Sequence, residues 1–457
     1  MATLVIDPVS RLEGHLRLEI EYEGGAVVRA RSSGTSFRGL ENVMRGRDPR
    51  DAAQITQRIC GVCPVPHGRA ACEAFENAAG LTVSPLARLV RNVVQAANFV
   101  DSHLLHFYVL SLPDYVAGLP TAGAWPPDRA PVAWRAARRL DAGLLAAHAA
   151  EALRWRRACQ EIVVALAGKM PHATGLVPGG ATAVPSAATL ADLRVLAAGV
   201  GAFARAAYAD DARALARAFP EYAGIGASGA AFLAHGSFPH ADGSPLLPGG
   251  LVLPGDASAR TADVSLVRES TASARYAAGA PAHPSVGTTE PAPRRSDAYS
   301  WVKAPRLSGH PCEVGPLARA VVSGRHSGAA GVMARHVARQ RESVTLAGAV
   351  ESWLDQIAAA PPAPSALPDV PVSGAGVGLT EAPRGALGHW VTIEASATSH
   401  YGVVSPTTWN ASPRDEAGVP GPMERALEGV RVADPADPIE VVRVVHSFDP
   451  CLQCAVH

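Results

Sequence analysis

Long hydrophobic runs, surplus charge and aromatic residues are all scarce in this 457-residue sequence. No stretch of about 18 apolar residues is free of charge, so no transmembrane helix is expected. The opening MATLVIDPVSRLEGH has no basic-then-apolar leader. The expected location is therefore cytoplasmic, with membrane attachment or export only through a partner chain. Lys+Arg and Asp+Glu balance at 41 each, so no net field points to nucleic acid or to an anionic membrane. Hydrophobic residues reach 48%, much of it alanine, and aromatics only 5%. The length still allows a large core, and no internal repeat is visible.

Cysteine is also sparse. Seven is an odd, modest number for this length, and the spacing is not that of a disulfide framework. Four of the seven form two C-x-x-C pairs, Cys60/Cys63 and Cys451/Cys454. Cys72, Cys159 and Cys312 read as small buried hydrophobes.

The first 30 residues alternate apolar and polar, with Gly24-Gly25 as a turn, and predict a β-hairpin. Residues 66–80 read as a helix starting near Pro66, and 84–112 as a long apolar helix carrying His103 and His106. Segments 128–168 and 189–218 are Ala/Arg/Leu-rich with helical periodicity. Gly, Pro, Ser and Asp punctuate 219–300, which predicts short strands and loops. A helix over 314–358 with a break near Gly324 follows. Residues 359–378 resemble a surface connection, and 389–457 an alternation of short strands and turns. The expectation is an α+β, predominantly helical fold in a single 1–457 domain. A β-hairpin region (1–35), a central helical bundle (50–218 and 314–358) and peripheral β elements (219–300 and 389–457) would compose it.

The first pair lies in Arg58-Ile59-Cys60-Gly61-Val62-Cys63-Pro64-Val65-Pro66-His67, the second in Asp449-Pro450-Cys451-Leu452-Gln453-Cys454-Ala455-Val456-His457. Two thiolates three residues apart can face one metal, and glycine between them lets the backbone approach. A structural zinc site or an iron–sulfur cluster would use the same four thiolates. A redox C-x-x-C needs only one pair. The pairs stand nearly 390 residues apart, unlike a zinc ribbon. Spacing alone leads to a thiolate-rich transition-metal site and no further.

R-x-C-G-x-C-x-x-x-H near the start with D-P-C-x-x-C-x-x-H at the end resembles the signature pair of nickel–iron hydrogenase large (catalytic) subunits. Other stretches follow in family order: Arg11-Leu12-Glu13-Gly14-His15, Gly39-Leu40-Glu41, Gly46-Arg47-Asp48-Pro49, His103 to Tyr108, and Gly168-Lys169-Met170-Pro171-His172. Lys303-Ala304-Pro305-Arg306, Glu313 to Arg319, Glu381 to Gly385 and Pro406-Thr407-Thr408-Trp409-Asn410 complete the series.

The resemblance implies heterolytic cleavage and formation of dihydrogen at a buried Ni–Fe centre. Cys60 and Cys451 would be terminal nickel ligands, and Cys63 and Cys454 would bridge nickel to an iron carrying two cyanides and one carbon monoxide. Arg384, Pro383 and Thr407 would surround these small ligands, with Asp114 and Asp449 completing a polar canopy. His67 would hydrogen-bond a bridging sulfur. Glu13 would take the proton from a cysteine thiol. Glu41, the carbonyl of Ala411 and His457 would bind Mg2+. His103, His106 and His172 would be structural, because the family's centre uses no histidine ligands.

A desolvated carboxylate has a raised pKa, which suits proton relay by Glu13; a permanently charged arginine suits anionic ligands at Arg384. The implied partner is a small subunit carrying iron–sulfur clusters, since this chain has no further cysteine cluster. The resemblance also implies maturation proteins and a C-terminal endopeptidase, and allows a dimer of heterodimers. A low-turnover hydrogen sensor is the alternative function, and a metal-free relative of the fold a third. The chain is shorter than usual family members, with trimming expected around 220–300. Cys312 stands where an apolar residue is expected.

Overall fold

The computed structural model describes residues 2–116, 140–363 and 365–457. Helix outweighs strand by 43% to 21%, and four long helices form the centre. Strands β1 (Ala2–Val9), β2 (Leu16–Glu23) and β3 (Ala26–Gly34) make an antiparallel sheet in the order β1-β2-β3. The predicted hairpin is its β2–β3 half, and β1 adds a third strand. Alternation works as expected: Leu16, Leu18 and Ile20 are fully buried while their neighbours are not.

Helix α1 (Pro64–Ala79) begins two residues earlier than predicted. Pro64 and Pro66 both fall in the first turn, where no amide hydrogen is needed. Helix α2 (Pro85–Leu105) is capped by the Ser84 hydroxyl, which accepts from the Ala87 amide at 3.1 Å. It continues as a π-helical turn, His106–Ser111, and a 3-10 turn ending at Asp114. Helices α3 (Ala142–Ala167), α4 (Ala187–Arg205) and α5 (Val332–Ala359) pack with α2 as the bundle. The predicted residues 128–139 lie outside the described residues.

The helical run Ala187–Ala218 is long and apolar enough to cross a membrane by length and composition. It breaks at Ala206, and only 39% of its most apolar window is buried. The break predicted near Gly324 separates Pro316–Val322 from α5.

Two readings are corrected. The connection predicted over 359–378 ends inside a strand, because β4 spans Ser373–Ala382 and pairs with β5 (Gly385–Glu394), which pairs with β6 (Ala397–Val404). Gly374, Gly376 and Gly378 are not loop residues. They form one bare face of β4 against α1, where a Cβ would stand 2.6, 2.1 and 1.9 Å from the carbonyls of Ala78, Ala74 and Ala70. Glycine every second residue on the strand meets alanine every fourth residue on the helix.

The tail is also not strand-and-turn after Val404. It forms Pro406–Asn410, Pro422–Leu427, α6 (Ile439–Ser447) and Leu452–Ala455. The β-branched run Val441-Val442 and Val444-Val445 favours strand locally, but burial of all four side chains, with Val441, Val444 and Val445 in the main core, overrides that preference.

Candidate metal centre

Two loops bring the cysteines together. Cys60 ends a 3-10 turn and Cys63 precedes the first residue of α1. Arg38 fixes this loop by donating to the carbonyls of Ile59 (2.5 Å) and Arg58 (2.7 Å). Cys451 is tied to the opposite end of the chain by a parallel bridge to Glu13, in which the Leu452 amide donates to the Glu13 carbonyl at 2.7 Å. The four sulfurs lie within 4.8 Å of one another and all four residues are buried. Cys60 and Cys451 are 3.4 Å apart, Cys63 and Cys454 3.4 Å, and Cys451 and Cys454 2.9 Å. Hydrogen bonds from the other three thiols hold Cys60 well below its ordinary pKa, whereas burial pushes Cys451 and Cys454 up. Four thiolates this close, out of water, cannot all ionise without a cation among them. Burial pushes the thiols of Cys72 and Cys312 up to about 12, and that of Cys159 well up, as expected of inert packing residues.

Over the sulfurs stands the tip of the β4–β5 hairpin. Ala382 pairs with Gly385, so Pro383 and Arg384 are the two turn residues. Gly385 has φ +137, and a Cβ there would lie 2.6 Å from the Gly315 nitrogen. Arg384 is buried. Its Nε donates to the Asp449 carbonyl at 2.9 Å and its Nη2 to Asp449 Oδ1 at 3.0 Å. Asp449 adopts φ +55, a region that aspartate tolerates better than most residues. Arg384 Nη1 and Asp449 Oδ2 have no hydrogen-bond partner among the described residues.

Thr407 Oγ1 accepts from the Cys451 amide at 2.9 Å, which leaves its own hydrogen to donate elsewhere. His67 does not bond a cysteine sulfur as expected. Its Nδ1 pairs with His389 Nε2 at 3.1 Å, His389 Nδ1 reaches the Tyr401 hydroxyl at 2.8 Å, and His67 Nε2 has no partner among the described residues. Burial lowers the His67 pKa to about 3, so the ring is neutral.

Asp114 lies outside the Arg384–Asp449 pair. Its carboxylate meets Arg11 and His446, the latter at 2.5 Å, and its carbonyl accepts from Arg443. Burial opposes ionisation there, but Arg11 and His446 hold the carboxyl down to about 2. Glu13 is half-buried; burial raises its pKa, and charge on Cys60 adds to the shift.

The expected magnesium ligands need one correction. Glu41 Oε1 accepts from the Val403 amide at 2.7 Å, and His457 Nε2 lies 2.9 Å from the Val403 carbonyl and 3.6 Å from Glu41 Oε1. The carbonyl beside Glu41 and His457 is thus that of Val403. Ala411 instead accepts from the Ser32 hydroxyl at 3.2 Å, because it ends the short helix that follows β6. The other face of Glu41 meets Thr289 and Lys303, and Lys303 also contacts Glu269. Carboxylate and carbonyl oxygens with one imidazole make a donor set that fits a hard cation.

Sequence reasoning missed Val403, His389 and the buried Arg319, Glu342 and Glu381. Arg319 and Glu381 stood within motifs already singled out, but nothing local distinguishes them from surface charges.

These features define a buried transition-metal–thiolate centre beneath an arginine canopy, and known proteins identify which kind. The nickel-dependent hydrogenase pattern matches residues 38–139 and 132–457, and a HoxL-like pattern matches 3–37. The periplasmic [NiFeSe] hydrogenase large subunit of Desulfomicrobium baculatum is 39% identical, with 99% of this chain and 94% of that protein aligned. The hydrogenase-2 large chain of Escherichia coli is 33% identical, covering 99% and 97%. The reduced Ni-Fe-Se hydrogenase structure from D. vulgaris Hildenborough superposes with TM-score 0.94 at 38% identity, covering all of both chains. The chain belongs to the nickel-dependent hydrogenase family, as a large subunit. Where some of these relatives are named for selenium, all four clustered positions here are cysteine.

Proposed function

We propose that this chain is the catalytic subunit that cleaves and forms dihydrogen, with Cys60 and Cys451 as terminal nickel ligands and Cys63 and Cys454 as the nickel–iron bridges. The observation that carries the reading is the set of four buried sulfurs under an arginine whose Nη1 has no partner among the described residues. When bound, an Ni–Fe centre with cyanide and carbonyl on its iron supplies the soft, electron-rich site for heterolytic dihydrogen cleavage. Arg384 Nη1 and the Thr407 hydroxyl would donate to the cyanides, and Pro383 would close the apolar side. Asp449 holds Arg384 in place. Asp114 acts one step back, fixing Arg11 and His446. His67 ties α1 to β5 through His389.

A cysteine sulfur serves as the local base and Glu13 takes its proton outward, which its bridge to Cys451 and raised pKa favour. Glu41, the Val403 carbonyl and His457 hold Mg2+. The large-subunit relatives support a small-subunit partner, and we assign to that partner the iron–sulfur clusters through which electrons leave. One such relative is named as periplasmic, which favours export with that partner over the cytoplasmic alternative.

Metal analysis and infrared spectroscopy of the complex test the reading. Near-stoichiometric nickel and iron with carbonyl and cyanide bands are expected; zinc without those bands, in protein made with its maturation system, would overturn it. High turnover with an artificial acceptor would separate the catalyst from the hydrogen-sensing alternative.

A further inference from the structure

Beneath the hairpin tip lies a guanidinium with every donor engaged. Arg319, on Pro316–Val322, donates from Nη1 to the Ala382 carbonyl (3.2 Å) and from Nη2 to the Pro383 carbonyl (3.1 Å). Its remaining hydrogens anchor it on the far side. Nε and Nη2 bond Glu342 at 2.7 and 2.6 Å, and Nη1 bonds Glu381 at 2.5 Å. Both carboxylates are themselves held, Glu342 by His103 Nε2 at 2.9 Å and Glu381 by the His235 amide at 2.7 Å. The guanidinium also lies 5.4 Å from the centroid of the Phe99 ring. All five N–H groups of Arg319 therefore have acceptors, and two of those acceptors are the peptide carbonyls immediately before Arg384.

We infer that Arg319 is a positioning residue that sets where the Arg384 head stands over the four sulfurs. This rests on the reading that Arg384 faces the ligands of a Ni–Fe centre. The Pro383 carbonyl belongs to the peptide that leads into Arg384, so fixing its plane fixes the direction in which the Arg384 side chain leaves the backbone. A lysine cannot substitute. Its donors diverge from one nitrogen and cannot span two carbonyls and two carboxylates in one plane. Released from Arg319, the tip keeps its strand pairing but loses the bonds that orient the turn.

The test uses the assembled large–small subunit complex carrying Arg319→Lys, with nickel and iron quantified and cyanide bands recorded beside turnover. Parental metal content, shifted cyanide bands, and a kcat reduced on the order of 10- to 100-fold with little change in KM for dihydrogen are expected. Glu381→Gln keeps both carbonyl bonds and weakens the anchor; it gives a smaller band shift, and it decides the matter where Arg319→Lys does not assemble. Arg91→Lys is the control for loss of a buried arginine, since Arg91 bonds Glu76 and the carbonyls of Val177 and Gly180. It lowers thermal stability and leaves the bands in place. Unmoved bands in metal-replete Arg319→Lys, or in Glu381→Gln if that is the variant obtained, overturn the inference and leave the metal centre standing. Absence of the bands from the parent complex overturns the centre itself.

Discussion

The Leu452 amide donates to the Glu13 carbonyl at 2.7 Å, one residue from Cys451. The start of the chain is thereby tied to the cysteine loop at its end, and charge on Cys60 acts on the Glu13 carboxyl. Burial raises its pKa, so the group operates as a proton acceptor closer to neutrality than an exposed glutamate. Glu13→Gln is expected to lower turnover by about 10²- to 10⁴-fold with nickel, iron and cyanide bands unchanged. Glu13 accepts protons as the carboxylate, so parental activity falls as pH drops through the raised pKa, and that limb disappears in the variant. The stability effect has the opposite sense. The folded state binds this proton more tightly than the unfolded state, so ionised Glu13 disfavours folding as pH rises past its unfolded pKa. Thermal unfolding at neutral pH should therefore show the Gln variant no less stable than the parent.

Arg384 is held by Asp449 through two bonds while Nη1 has no partner among the described residues. Arg384→Lys keeps the charge and loses the fork. Turnover should fall on the order of 10²- to 10³-fold, the effect of removing a preorganised donor at a reacting centre. Cyanide bands that shift with nickel retained would locate the loss at the canopy; a chain without nickel would show that Arg384 is needed for assembly instead.

The cysteine pairs, Glu13 and Arg384 were legible because each sits in a short motif whose residues the fold brings together. Four thiols at opposite chain ends needed only the resemblance to be joined. What the sequence hid was register. Val403 and Ala411 both lie near Thr407, and only the pairing of β5 with β6 decides which carbonyl faces Glu41 and His457. The buried Arg319–Glu342–Glu381 group was hidden for another reason. Charged side chains normally read as solvated, and nothing in a helix pattern shows that its polar residue points inward. The helical tail was misread because Val441 to Val445 favour strand until core burial decides otherwise.

Lys303 is buried between Glu41 and Glu269. Against burial, Lys303 and His457 hold the Glu41 carboxyl well below the usual range. Glu41→Gln removes half of the countercharge of a buried ammonium and should cost about 3–5 kcal/mol, with magnesium lost from the purified protein. A lowered folded pKa means that the Glu41 contribution is complete above its unfolded pKa and fades only as pH falls towards the folded value. The stability gap between parent and variant should therefore be full at neutral pH and narrow only in strong acid. Equal stability at neutral pH with magnesium retained would exclude Glu41 from the cation site.

The glycine face of β4 controls where α1, and with it Cys63, comes to rest. A Cβ on Gly376 would stand 2.1 Å from the Ala74 carbonyl, a contact that no side-chain rotation relieves. Either α1 moves away from the sheet or β4 yields, and both shift a cysteine-bearing loop or the Arg384 turn. Gly376→Ala should destabilise by about 1–3 kcal/mol, the range for an overpacked interior, and lower nickel occupancy as well. Gly348 supplies the contrast. It lies exposed within α5 with nothing within 4 Å of its missing Cβ. Gly348→Ala should raise stability by about 1 kcal/mol through helix propensity alone and leave nickel content unchanged. Chemical denaturation of both variants reads the sign directly: if Gly376→Ala proves as harmless as Gly348→Ala, the close seating of α1 on β4 is wrong.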